Sequence, residues 1–463
     1  MIFSTFEFFI FFAAYFFLYK LLPNRFTILL IIVGSLFFYG WWNPVLIWVP
    51  AVLCTIAYFG AIWIASSNAD SKKLKISLII SLLLLPLILF KYIDFFYNDI
   101  ISLALGLNNY DLQLVLPLGI SFITFTMISY VVDVYRKNFP IEKNYLQLIG
   151  YTLFFPQLIA GPILRPAQLL PQIARAAVKK SSVIGLGLFI FTVGLVKKVI
   201  FADGISPYVN AVFNDPLGHG LIEYWIAILG FTLQIYCDFS GYTDMAIGSA
   251  MMLGVRLPLN FERPYLAISL RDFWLRWHIT LSRWLRDYLY IPLGGNRTSK
   301  PKHLLNIFIT MVLGGLWHGS NWTFLIWGAL HGIGISINHG IHFFKFTSQL
   351  VNLVPVLFWR IITISFVIFA WIFFRANDVT DAFIIINGAI SADFIYENMA
   401  QNIFPLVLLF IFTVTHFLDT QSKLRLMFKK TRKKYIYLII ILAWTIVIAS
   451  ATGSSQEFIY FDF

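Results

Sequence analysis

Long apolar stretches alternate with short polar loops along almost the whole chain. Because a helix needs roughly 20 apolar residues to cross a bilayer, this pattern predicts eleven to twelve spans within one continuous all-α membrane domain over residues 1–463. The apolar stretches lie near residues 3–22, 26–42, 44–65, 76–97, 115–135, 184–201, 222–240, 304–318, 322–341, 357–374, 403–418 and 435–451.

Composition agrees with a membrane protein. Hydrophobic residues make up 59% of the chain and charged residues only 12%, whereas about 25% of the residues of a soluble protein are charged. This excludes a water-soluble enzyme. The aromatic share of 18% fits a chain whose rings lie at the headgroup boundary as well as in the interior.

The positive charges collect in alternate loops. Loop 419–434 carries seven lysines and arginines, whereas segment 375–402 is acidic. Since cytoplasmic loops retain lysine and arginine, this alternation predicts basic loops on the cytoplasmic side and both termini outside. The net charge of +12 is therefore a sign of topology and does not indicate nucleic-acid binding.

Two segments do not fit simple spans. Residues 145–166 are apolar but contain Pro156, Gly161 and Pro162, and both flanks are basic, so we expect this segment to enter the membrane and return. Residues 256–302 hold nine lysines and arginines against three acids and are too charged to cross.

A helix across residues 273–288 of the basic segment would be amphipathic. At about 100° per residue, an apolar stripe forms from Phe273, Trp274, Trp277, Leu281, Trp284, Leu285 and Tyr288. The charged side holds the spacings Asp272 to Arg276 and Arg283 to Asp287, which favour ion pairs along a helix. Such a helix is expected at the cytoplasmic boundary.

Histidines in apolar surroundings are the main candidates for chemistry. His318 is flanked by Gly314, Gly315 and Gly319, which allow close approach of a backbone or ligand, although small residues also mark ordinary helix contacts. His278 lies at the border between the aromatic stripe and the charged side. His331 follows in the same apolar region, but helical geometry cannot place it beside His318.

The other histidines suggest less. His219, His303 and His342 lie in or beside loops and are expected at the surface, and His416 ends a span. The two cysteines, Cys54 and Cys237, both lie in apolar stretches and indicate neither a disulfide framework nor a metal site.

No common phosphate-binding, metalloprotease or hydrolase motif occurs, and no Cys/His spacing indicates a metal. Asp133, Asp238 and Asp244 lie in apolar stretches, where acids are typical of proton or ion paths. From the residues alone, a membrane enzyme built around His318 and a transporter that moves its substrate without covalent chemistry are equally supported.

Several segments resemble the membrane-bound O-acyltransferase family, in particular its bacterial branch of polysaccharide and alginate O-acetyltransferases. These segments are FYGWWNPVLI (38–47), PLGISFITFTMISYVVDVYR (117–136), FPQLIAGPILRPAQLLPQI (155–173), YCDFSGYTDMAIGSAMMLG (236–254), RDFWLRWHITLSRWLRDYLYIPLGGNR (271–297), LGGLWHGSNWTFLIWGALHG (313–332) and the C-terminal FIYFDF.

The resemblance implies a ring of transmembrane helices around a central funnel that contains histidine, with residues 304–341 as the catalytic helical pair. It makes His318 the essential histidine and His278 the second one. A neutral His318 would take the proton of an acceptor hydroxyl that attacks a thioester. The candidate residues for binding the multiply anionic donor are Arg271, Arg276, Arg283, Arg286, Trp317 and Asn321.

The implied donor is cytoplasmic acetyl-CoA, with no bound cofactor or metal, and the implied location is the bacterial inner membrane. The implied product is an exported polysaccharide such as alginate, acetylated with a periplasmic SGNH or esterase-like partner. Peptidoglycan O-acetylation is nearly as well supported. D-alanyl transfer to teichoic acid is less favoured, because PLGGNR (292–297) and FIYFDF are more similar to the polysaccharide branch.

Overall fold

The computed structural model describes residues 1–110, 112, 114–174, 184–341, 354–393, 402–450 and 459. Within these residues every regular element is a helix and no β-strand occurs. The predicted all-α polytopic membrane architecture is therefore confirmed. Most of the C-terminal FIYFDF segment and His342 lie outside the described residues.

Five of the described helices are long and apolar enough to cross a membrane, and a sixth span results if one pair bent by 79° crosses as a unit. The five are Pro44–Ala65, Ala69–Leu105, Ile184–Asn214, Val356–Arg375 and Lys433–Ser450, and the bent pair is Ile403–His416 with Gln421–Lys430. The other predicted spans fall on shorter or more polar helices. The total of eleven to twelve spans therefore stays a prediction, as do the ring arrangement and the orientation.

The chain divides into two compact units. The first contains Met1–Phe191 and Tyr242–Pro258, and the second contains Thr192–Gly241 and Leu259–Phe463. The helices that lie in or begin in the first unit are α1 (Phe6–Leu21), α2 (Thr27–Gly40), α3 (Pro44–Ala65), α4 (Ala69–Leu105), α5 (Ile120–Tyr135), α6 (Tyr145–Leu153), α7 (Phe155–Leu158), α8 (Pro166–Ala174) and α9 (Ile184–Asn214).

The segment predicted to be re-entrant, residues 145–166, is a broken helix in the first unit. α6 begins where Asn144 Oδ1 accepts the N–H of Leu146 at 3.0 Å, and it ends after nine residues. At about 1.5 Å per residue, α6 covers about 14 Å, less than half of a hydrocarbon layer about 30 Å thick. It cannot cross alone, and a path that enters and returns stays a prediction.

The second unit carries all the predicted site residues. Its remaining helices are α10 (Leu221–Met252, which continues into the first unit), α11 (Leu270–Arg276), α12 (Ile279–Leu285), α13 (Lys300–His318), α14 (Trp322–Ile341), α15 (Val356–Arg375), α16 (Val379–Ser391), α17 (Ile403–His416), α18 (Gln421–Lys430) and α19 (Lys433–Ser450). The hydrophobic pattern predicts no span in the acidic segment 375–402, but the structure has the helix α16 there. Part of that segment lies outside the described residues.

Candidate active site

His278 occupies a break between two short helices. α11 ends at Arg276 and α12 begins at Ile279, and His278 has the left-handed backbone angles φ 40° and ψ 54°. The prediction of one continuous amphipathic helix across residues 273–288 is therefore wrong. A left-handed residue interrupts the helical hydrogen bonds, and a non-glycine residue takes this conformation only where its surroundings hold it.

Asn260 holds this break in place. Its carbonyl accepts the N–H of Ile279 at 2.9 Å, and its Oδ1 accepts both the N–H and the hydroxyl of Thr280, at 3.2 and 2.9 Å. These bonds satisfy the first free N–H groups of α12 in place of a helix cap. As a result the His278 side chain is fully buried, 0% exposed, rather than at the border of an amphipathic face.

Aromatic rings surround the His278 imidazole. Phe239 meets it edge to face with ring centroids 4.7 Å apart, and Trp317 does so at 6.2 Å. The seven-residue helices on either side do not span a membrane. Burial lowers the pKa of His278 from 6.5 to about 3, because an apolar environment disfavours the charged imidazolium. The ring is therefore neutral at physiological pH.

His318 is the last residue of α13 and is 2% exposed. α13 ends there because Gly319 turns to an extended conformation. A Cβ on Gly319 would lie 2.0 Å from the Phe324 ring, so any larger residue there would require this buried ring to move. The His318 imidazole contacts Trp317, Trp327 and Phe374, with ring centroids 4.9, 5.1 and 5.2 Å apart.

Small residues bring α13 and α14 together next to His318. A Cβ added to Gly315 would lie 2.3 Å from the carbonyl oxygen of Phe324, and one added to Gly328 would lie 2.5 Å from that of Met311. The two backbones are therefore in contact at these positions, as in other helix pairs packed through glycine. The sequence allows two explanations for the glycines near His318, close approach of a ligand or backbone and ordinary helix packing. The structure shows that Gly315 takes part in helix packing.

Tryptophans connect the histidines. Trp317 contacts both His278 and His318, and Trp327 contacts both His318 and His331, at 5.1 and 4.9 Å. The structure thus brings His331 into the group, which helical geometry alone could not predict. The available signal was a histidine within the apolar helix α14, because a polar group in such a helix needs a partner or a purpose.

The predicted donor-binding arginines lie apart from these buried rings. Arg271, Arg283 and Arg286 are exposed. Arg276 forms the predicted ion pair with Asp272 at 2.8 Å. The spacing in the sequence favours a pair between Arg283 and Asp287. In the structure Asp287 pairs with the adjacent Arg286 at 2.7 Å.

The other two predicted donor-binding residues differ in their surroundings. Trp317 is buried against His278 and His318. Asn321 lies at the start of α14, where its Oδ1 accepts the N–H of Thr323 at 3.0 Å and its Nδ2 donates to the carbonyl of Asn377 at 2.9 Å. Asn321 therefore caps α14 and links it to the loop that follows α15.

One of the histidines expected at the surface is not there. His303 is buried, with its ring 5.1 Å from that of His339 and 6.1 Å from that of Tyr290. The surface prediction for His303 is therefore wrong, because its helix packs that side inward. His416 ends α17 as predicted and contacts Tyr236 at 4.9 Å.

The buried acids do not form a cluster that would bind a metal. Asp133, Asp238 and Asp244 are all buried, and Asp238 pairs with Lys198 at 2.9 Å. Lys198 also pairs with Asp203 at 2.8 Å. In the part of the chain that the structure describes, no three histidine, cysteine, aspartate or glutamate side chains are grouped to hold a metal ion.

Apolar helices with buried, closely packed histidines define a polytopic membrane protein suited to proton transfer away from water. The chain belongs to the membrane-bound O-acyltransferase family, whose sequence model matches residues 34–384. Membership confirms the resemblance seen in the motifs and identifies the protein as an acyltransferase. It therefore decides between enzyme and transporter in favour of the enzyme.

Several relatives are similar to this chain over more than half of its length. It is 38% identical over 415 residues to a peptidoglycan O-acetyltransferase of Helicobacter pylori, covering 82% of this chain and 77% of the relative. It is also 38% identical over 393 residues to a probable alginate O-acetylase of Pseudomonas aeruginosa, covering 82% and 73%. A teichoic acid D-alanyltransferase of Bacillus subtilis is 27% identical over 283 residues, covering 56% and 69%. These similarities support a membrane O-acetyltransferase.

Proposed function

We propose that this protein takes acetyl groups from cytoplasmic acetyl-CoA and passes them across the inner membrane for O-acetylation of an exported, alginate-type polysaccharide. The observation that carries this proposal is the buried pair His278 and His318, joined by contacts to Trp317. The alginate-type substrate is proposed because this chain is 38% identical to a probable alginate O-acetylase.

In the proposed reaction, neutral His318 accepts the proton of the acceptor hydroxyl while the hydroxyl oxygen attacks the thioester carbonyl carbon. The carbon–sulfur bond then breaks, and the coenzyme A thiolate leaves with the proton that His318 returns. His278 orients the reactants or donates a hydrogen bond to the carbonyl oxygen, where negative charge develops. Burial among aromatic rings keeps water away from both steps.

The exposed arginines are assigned to the other end of the donor. Arg271, Arg283 and Arg286 are exposed and Arg276 is partly exposed, and all four lie in the basic segment 256–302, close in sequence to His278. The phosphates of coenzyme A carry several negative charges, which guanidinium groups bind well. In this proposal Trp317, which contacts both histidines, packs against the acetyl end, and Asn321 acts by fixing the start of α14.

A periplasmic, esterase-like partner completes the proposed transfer. The acceptor polymer lies outside the membrane, whereas 59% of the residues of this chain are hydrophobic and five of the described helices are long and apolar enough to cross a bilayer. Peptidoglycan is the second candidate product, because a relative with that activity in its name is equally identical to this chain. Chemical analysis of ester-linked acetate in polysaccharide and peptidoglycan from cells that have or lack the protein would separate the two products.

The test of the proposed activity uses purified full-length protein in detergent with acetyl-CoA labelled in the acetyl group. Wild type is expected to release free coenzyme A and to transfer or hydrolyse the label. His318→Ala should reduce this by about 10²- to 10⁴-fold, the usual contribution of a general base. His219→Ala is the matched control, since His219 pairs locally with Glu223. Equal turnover by wild type and His318→Ala would overturn the proposal.

A further inference from the structure

His331 has a defined tautomer in the structure. Its Nδ1 accepts a hydrogen bond from the indole N–H of Trp274 at 3.2 Å, and its side chain is 0% exposed. A nitrogen that accepts a hydrogen bond carries no proton of its own, and a neutral imidazole carries one proton in total. The proton of His331 is therefore on Nε2, which makes that atom a donor.

This donor has no acceptor among the residues that the structure describes: Nε2 of His331 is buried and makes no hydrogen bond. The indole nitrogens of Trp327 and Trp371 are in the same situation, and both side chains are 1% exposed. Leaving a buried donor without a partner is unfavourable. These three donors lie in neighbouring side chains, so a ligand acceptor that reached them would satisfy groups that the described part of the protein leaves without a partner.

The three donors belong to one group of rings beside His318. Trp327 contacts His331 at 4.9 Å, Trp371 at 5.8 Å and His318 at 5.1 Å between ring centroids. All three donors are N–H groups, so the ligand atom that satisfies them must be an acceptor. A carbonyl oxygen that becomes negatively charged during reaction is such an atom, and donors aimed at it lower the barrier.

We propose that His331, through Nε2–H, together with the indole N–H of Trp327, binds the carbonyl oxygen of the acyl donor next to His318. The inference rests on the proposed function, because it takes the donor to be a thioester. It assigns His331 a task that is distinct from that of His318: His331 donates and stays neutral, while His318 accepts the proton. His278 then has the other role proposed for it, which is to orient the reactants. Trp274 is a positioning residue, since its bond to Nδ1 selects the tautomer.

The test measures binding of two unreactive analogues to purified wild type in detergent by titration calorimetry. In the first, a methylene group replaces the sulfur of acetyl-CoA, so a ketone stands where the thioester carbonyl stood. The second is S-ethyl-CoA, in which a methylene replaces the carbonyl itself. If donors bind the carbonyl, wild type should prefer the ketone by about tenfold, the value of one net hydrogen bond.

Two variants of His331 distinguish the effect of losing its Nε2–H group from the effect of losing its ring. His331→Asn retains an acceptor near the position of Nδ1 but has no donor at that of Nε2, and the preference for the ketone should fall toward one. His331→Gln places an amide N–H near the position of Nε2 and should retain part of the preference. Trp327→Phe keeps an aromatic ring but removes the second N–H together with part of the indole, and it provides an independent measurement if a His331 variant does not fold.

The outcomes distinguish this inference from the proposed function. If wild type binds both analogues equally, the carbonyl is not bound by these donors and the inference is overturned, while acetyl-CoA remains the donor. If wild type binds neither analogue, the proposed donor is wrong and the inference falls with it. An unchanged preference in both His331→Asn and Trp327→Phe overturns the assignment of these two residues.

Discussion

The Trp317 indole meets the His278 imidazole edge to face, with ring centroids 6.2 Å apart and ring planes at 67°. Because Trp317 directly precedes His318 and also contacts its ring, one side chain lies against both histidines. An edge-to-face contact fixes the angle of the rings as well as their distance.

Shortening Trp317 is therefore expected to separate the two histidines. Trp317→Ala should lower kcat for thioester turnover by about 100-fold, the usual effect of a small misplacement of reacting groups, whereas Trp317→Phe should retain most of the activity. Steady-state kinetics of both variants give the answer. Comparable activity of the alanine and phenylalanine variants would contradict the spacing role, and thermal unfolding in detergent controls for lost packing.

Asn260 stabilises the turn at His278, so its substitution is also expected to affect activity. Asn260→Ala removes the side-chain acceptor of two hydrogen bonds from Thr280, each contributing about 1 kcal/mol. We expect a lower melting temperature and a lower kcat together, because the turn relaxes and the imidazole shifts. Asn260→Asp keeps the side-chain oxygen and should recover part of both. Turnover of Asn260→Ala equal to wild type would show that the turn is not needed for activity.

The close contact of α13 with α14 predicts opposite effects for two glycines of one helix. Gly328→Ala should destabilise the protein by about 1–3 kcal/mol, because its Cβ would meet the Met311 carbonyl oxygen at 2.5 Å. Gly340→Ala is the matched control, since nothing lies within 4 Å of its Cβ, and alanine favours a helix by up to about 1 kcal/mol. Thermal unfolding of both variants tests this, and a neutral Gly328→Ala would contradict the contact.

The low pKa of His278 predicts how stability changes with pH. The folded value of about 3 lies below the ordinary 6.5, so the unfolded chain binds this proton first. The contribution of a neutral His278 is therefore complete above about pH 6.5 and is lost as the pH falls toward 3. Melting temperatures of wild type and His278→Phe between pH 8 and 5 should diverge in slope, with the variant less sensitive to acid. Parallel curves would refute the assignment.

The basic segment can be tested by neutralising two arginines together. Arg276→Gln with Arg283→Gln is expected to weaken acetyl-CoA binding by about tenfold at low salt and less at high salt, because contacts of exposed charges are modest and screened. Lys429→Gln with Lys430→Gln removes the same charge from α18 and should have a smaller effect. If the arginine variant bound acetyl-CoA as tightly as wild type, these arginines would not bind the donor and their charge would serve only membrane topology.

The sequence predicts the fold class well because a bilayer imposes a strong requirement. Every backbone polar group must be satisfied within the membrane, so long apolar stretches become helices, as Val356–Arg375 and Lys433–Ser450 do. The two motif histidines also lie together through Trp317. Helical periodicity carries no information about such contacts; the family resemblance supplied the pairing.

The features of the site that the sequence does not predict depend on contacts between positions far apart in the chain. The left-handed turn at His278 needs Asn260, 18 residues earlier in the chain, and a helical wheel assumes that no such interruption occurs. His331 contacts Trp327 within α14, but the hydrogen bond that fixes its tautomer comes from Trp274, 57 residues away in sequence. Local propensity cannot specify either contact, because each is set by how the helices pack.

The break between α11 and α12 gives one short stretch of chain two unlike environments. Arg276 is partly exposed and holds a permanent charge, while His278 is fully enclosed and uncharged. Two residues of extended chain span at most about 7 Å. A substitution that relaxes this one turn would therefore change a charged and an uncharged environment at the same time.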